Sequence, residues 1–94
     1  MSEPGFIDTM EKLAGDAFPL TKLADGTGII LDLSGMQVLS LNDSATYVVE
    51  AIRQGERSVE NLAHLVARAF EVPENAARLD IERLLLSLRS LIDG

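Results

Sequence analysis

The chain has 94 residues and a net charge of −7, with 8 Lys and Arg against 15 Asp and Glu. That length makes one small domain, and the absence of cysteine removes both a disulfide framework and any thiolate metal site. An acidic chain whose only aromatics are Phe6, Phe18, Tyr47 and Phe70 is poorly suited to gripping phosphates or stacking bases, so no nucleic-acid partner is expected.

The single histidine, His64, excludes a histidine-rich metal site. No apolar run approaches the roughly 20 residues of a membrane span, and no membrane partner is expected. Met1-Ser2-Glu3-Pro4 lacks the basic start and apolar core of a signal peptide, so the expected location is the cytoplasm. No nucleophile–base pair, glycine-rich phosphate cradle or metal-ligand spacing appears. Neither catalysis nor a cofactor is therefore expected.

Residues 1–17 read as an N-terminal arm, apart from a domain at 18–94. Phe6, Ile7, Met10, Leu13 and Ala14 share one side of a short helix, which is marginal unless it docks on something. Residues 18–23 alternate in polarity and read as a first strand, followed by turn chemistry at Asp25-Gly26. Ile29, Ile30 and Leu31 open a nearly continuous apolar run to Leu33, the pattern of a central strand. Ser34-Gly35 supplies a two-residue hairpin loop, and residues 36–41 (Met36, Gln37, Val38, Leu39, Ser40, Leu41) form a third strand. Asn42, Asp43 and Ser44 are all good N-caps for a helix with Ala45, Val48, Val49 and Ile52 on one stripe, and Gly55 is placed to end it. Ser58 caps a second helix with Val59, Leu62, Ala63, Val66 and Phe70 inward. Pro73 begins a third, whose inner stripe is Ala77, Ile81, Leu84, Leu85, Leu88, Leu91 and Ile92.

The expected fold is α+β: a winged helix-turn-helix in which a three-stranded antiparallel meander precedes three helices. The first strand carries Pro19 and Lys22, the usual guards of a sheet edge. The third carries neither charge nor proline. An unguarded edge is either an aggregation hazard or a docking place for another chain. On the third helix Leu79 and Leu86 stand one above the other on the outer side, while Asp80 and Arg83 are neighbours able to pair or to contact a ligand.

The runs Leu41-Asn42-Asp43-Ser44-Ala45 and Gly55-Glu56-Arg57-Ser58-Val59, followed by Asp80-Ile81, Leu84-Leu85 and Leu88, resemble the PqqD-like family. These are the RiPP recognition elements, winged-helix modules that bind leader peptides of ribosomally made, post-translationally modified peptides. The resemblance spans about residues 25 to 92; Val49 stands where the family often has tryptophan. It implies a non-catalytic peptide chaperone or adaptor. The leader of a precursor peptide would add as a strand to 36–41 and lie against the third helix. The implied site is Met36, Gln37, Val38, Leu39, Ser40 and Leu41 with Arg78, Leu79, Arg83 and Ser87. The implied second partner is a peptide-modifying enzyme, such as a radical SAM protein or a leader protease.

Two alternatives share the fold. A DNA-binding transcriptional regulator would need a basic recognition helix, yet Glu74, Asp80 and Glu82 offset Arg78, Arg83 and Arg89, and the wing offers only Lys22. A homodimeric interaction module would pair its open edge, or its Leu79/Leu86 face, with a second copy.

Overall fold

The computed structural model describes residues 4–32 and 35–93, as four helices and one three-stranded sheet. In chain order these are α1 (Pro4–Leu13), β1 (Leu20–Lys22), β2 (Gly28–Asp32), β3 (Gln37–Leu41), α2 (Asp43–Arg53), α3 (Val59–Phe70) and α4 (Glu74–Asp93). The sheet is the expected antiparallel meander, ordered β1-β2-β3, and three helices follow it.

The strand ends differ from the sequence expectation for identifiable reasons. Phe18 is buried in the core ahead of β1, although the Pro19 carbonyl still accepts from the Leu31 amide at 3.1 Å. Met36 is not a strand residue. It occupies the left-handed region (φ 55°) in the turn before β3, with a side chain that is 90% exposed. Leu33 and Ser34 lie outside the described residues. The turn is tied down from β2, where an Asp32 carboxylate oxygen accepts from the Gly35 amide at 3.0 Å. A Cβ at position 35 would collide with that carboxylate, so any larger residue there would displace the Asp32 side chain that caps the turn.

The helix ends follow their capping chemistry. The Asn42 side chain accepts from the Ala45 amide, and Ser58 from the Asn61 amide. Gly55 takes a positive φ of 119° just past α2. Glu71 closes α3 in the left-handed region, and the Pro73 carbonyl accepts the Ala77 amide to open α4. Tyr47, which falls off the apolar stripe of α2, packs edge-on against Phe70 with ring centroids 5.6 Å apart. His64, also off its stripe, is exposed beside Glu74 at 3.4 Å.

The core lies between the sheet and the helices. Ile30, Leu41, Val48, Val49, Ile52, Leu62, Val66, Ile81, Leu85 and Leu88 are all buried there. Thr46 is buried among them because its hydroxyl donates to the Asn42 carbonyl at 2.8 Å. Gly28 lets β2 approach that turn: a Cβ there would stand 2.8 Å from Thr46 Oγ1. Helix α1 packs on α4 and α2, placing Phe6, Met10 and Leu13 in the same core. Each such side chain stabilises the packed state by about 1.5–3 kcal/mol of transfer free energy. Arg89 of α4 lies over the Phe6 ring at 5.5 Å. Arg53 fixes the chain after α1 by donating to the carbonyls of Leu13, Gly15 and Phe18 at 2.7, 3.3 and 3.2 Å.

Candidate functional site

The open edge belongs to β3, and the register decides which of its backbone groups are free. β1 and β2 pair as Leu20↔Ile30, Thr21↔Ile29 and Lys22↔Gly28. Beyond those pairs the Leu31 amide donates to Pro19, and the Leu23 amide to Thr27. Odd-numbered residues of β2 therefore turn their N–H and C=O toward β1. Its even-numbered residues turn theirs toward β3, because the two directions alternate along an antiparallel strand. Through Gly28↔Leu41, Ile30↔Leu39 and Asp32↔Gln37, residues 37, 39 and 41 spend their backbone groups on β2. Those of Val38 and Ser40 point away from the sheet. The free rung thus consists of two N–H and two C=O groups on two uncharged residues.

Beside this edge runs an open groove of about 400 Å³. One side is Leu39, Ser40 and Leu41; the end is closed by the start of α2, with Asn42, Ser44 and Ala45. The opposite wall is α4, through Ala77, Asp80, Ile81, Arg83, Leu84 and Ser87, a set spaced to share one helix face. Val48 and Val66 complete a floor that, with Leu41, Ala77 and Ile81, is buried and apolar. The groove's only charged side chains among the described residues are Asp80 and Arg83. They form an exposed pair at 4.0 Å on the rim. Such a pair contributes little to stability and is free to exchange partners.

Of the residues singled out from the sequence, Leu39, Ser40, Leu41, Arg83 and Ser87 line this groove. Gln37 and Val38 continue the same strand toward the turn, and Met36 stands at the hairpin tip. Arg78 is turned toward α3, where it pairs with Glu60 at 3.0 Å. Leu79 is half exposed next to Leu86, on the side of α4 away from the floor. The cap run Asn42 to Ala45 and the wall residues Ala77, Ile81 and Leu84 are further members of the groove. A helical wheel anchored on Arg83 and Ser87 would have included Asp80 and Leu84 and left out Arg78. Among the described residues no cluster of three or more His, Asp or Glu could hold a metal ion. Among the same residues, no helix is long and apolar enough to cross a membrane.

Among solved structures, TbiB1 in complex with the TbiA(beta) leader peptide shares this fold with a TM-score of 0.71. It is 16% identical, over 81% of this chain and 86% of that one. Lasso peptide synthetase B1 complexed with the leader peptide superposes with a TM-score of 0.68 at 25% identity, over 81% of this chain and 87% of that one. No curated protein sequence matches significantly. The family model for Coenzyme PQQ synthesis protein D (PqqD) matches residues 27–91, the stretch that holds the central strand, the open edge and all three groove-forming helices. The chain belongs to the PqqD family.

Proposed function

We propose that this protein is a non-catalytic adaptor that binds the leader segment of a ribosomally made precursor peptide. The leader adds as a fourth strand along β3, lies against α4, and is presented to a separate modifying enzyme. The observation that carries the reading is the free rung of Val38 and Ser40 running beside an apolar groove. An extended peptide satisfies those four backbone groups whatever its sequence, and side chains entering the groove supply selectivity. Membership of the PqqD family supports it, as does the likeness to a lasso peptide synthetase B1 solved with a leader peptide. The partner enzyme is of a class that acts on peptides, such as a radical SAM protein or a leader protease.

The test is an NMR titration of the labelled protein with the leader segments of precursor peptides encoded near its gene. Amide shifts are expected along residues 37–41 and on the Asp80–Ser87 face of α4. Shifts confined to α1 or to the α3 surface, or no response to any of these leaders, would refute the proposal.

A further inference from the structure

The sheet has a second face that the groove does not use. Paired residues share a face: Leu20, Ile30 and Leu39 turn toward the helices, so their neighbours turn outward. The outer face displays Pro19, Thr21, Leu23, Ile29, Leu31 and Val38, with Ser40 at its edge. Thr21, Leu23, Val38 and Ser40 are exposed, Val38 by 62%, and Ile29 and Leu31 are partly so. Charged residues make up 24% of the chain, yet none of the described residues on this face is charged.

This face ends at the rung where the peptide adds, which identifies its occupant. A strand paired with β3 extends the sheet. Its residues opposite Val38 and Ser40 place their side chains on the outer face, next to those two. The filled groove thereby turns a three-stranded apolar face into a four-stranded one, with alternate peptide side chains forming its last row. A protein seated there touches adaptor and peptide together. A second copy of this chain would bring a further −7 against the first and would have no use for the peptide row.

We propose that the outer face of the sheet docks the peptide-modifying enzyme through an apolar, uncharged patch on that enzyme, and that it does so most tightly when the peptide is in place. This rests on the leader-binding reading above.

The experiment uses the purified full chain, a fluorescent leader peptide and the purified peptide-modifying enzyme encoded beside its gene. Peptide affinity is read by anisotropy, and enzyme affinity by biolayer interferometry with and without saturating peptide. Leu23→Lys/Leu31→Lys is the principal variant. Thr21→Lys, at a fully surface position, serves if the double variant fails to fold by circular dichroism. The expected result is peptide affinity within about twofold of wild type and enzyme affinity lower by about tenfold or more, the scale of losing a buried apolar contact. Unchanged enzyme binding by a folded variant would overturn the proposal. So would enzyme binding indifferent to peptide, or light scattering in which the substitution dissolves a homodimer instead. A wild-type chain that binds the enzyme but no leader would overturn the leader-binding reading, and the loaded-state docking with it; a wild-type chain that binds the leader but not the enzyme would overturn the docking face alone.

Discussion

Arg53 holds three backbone carbonyls from the segment that links α1 to β1, so its removal strands acceptors that are partly shielded from water. Arg53→Leu is expected to destabilise the fold by about 2 kcal/mol, read as a lower denaturation midpoint with an unchanged slope. Asp25 acts on a smaller scale. The Thr27 hydroxyl at 2.6 Å, and then the Thr27 amide at 3.0 Å, hold its carboxyl below the usual carboxylate range. A depressed folded value means stability present above the ordinary pKa and lost as pH falls through the lowered one. Asp25→Ala should therefore lower stability slightly at neutral pH, leave it unchanged at strongly acid pH, and so flatten the acid limb of the profile. Equal sensitivity of both chains to acid would contradict this. Thr46 shows why a residue can be misread from the sequence alone. Its hydroxyl excludes it from an apolar stripe, but the Asn42 carbonyl one turn earlier satisfies that hydroxyl and lets it be buried.

Strands and helices were legible because their signals are local. Ile29, Ile30 and Leu31 prefer a pleated, buried surface; Asn42, Ser58 and Gly55 mark helix ends by what their own atoms can do. Met36 was not legible as a turn residue, because methionine rarely takes the left-handed region it occupies here, directly after the Gly35 amide that Asp32 caps. The inner stripe of α4 was legible, through Ala77, Ile81, Leu85 and Leu88, but the role of Arg78 on its flank was not. Arg78 pairs with Glu60, a partner 18 residues earlier on α3 that only the packed helices bring near. The docking of α1 was equally hidden, since the helices it packs on, and the Arg53 and Arg89 side chains that reach it, lie far along the chain. Removing residues 1–14 should uncover the core that Phe6, Met10 and Leu13 close, costing more than about 3 kcal/mol in a denaturant titration. At β3 the alternation separates two substitutions that look alike. Val38→Pro deletes an outward donor, so it should weaken leader binding by about tenfold while the chain stays folded. Leu39→Pro deletes a bond to β2, and should be visible first as loss of structure by circular dichroism.

For the molecule as a whole, the charge of −7 and the uncharged edge point in one direction. Recognition by backbone groups and an apolar floor owes little to long-range fields. The groove's two charged side chains among the described residues already face one another. Leader affinity is therefore expected to change by less than about threefold between low and high salt, in contrast to the steep loss of a phosphate-binding protein. A steep salt slope in calorimetry would mean that rim charges, rather than the edge, dominate. It would also return attention to Arg83.

Because consecutive residues of β3 send their amides in opposite directions, the protein should count its ligand in twos. Leader analogues methylated at one backbone nitrogen at a time ought to show strong and weak positions in strict alternation, whichever way the ligand runs. A methyl group on an in-phase nitrogen blocks the sheet, and its neighbour one residue along projects harmlessly into water.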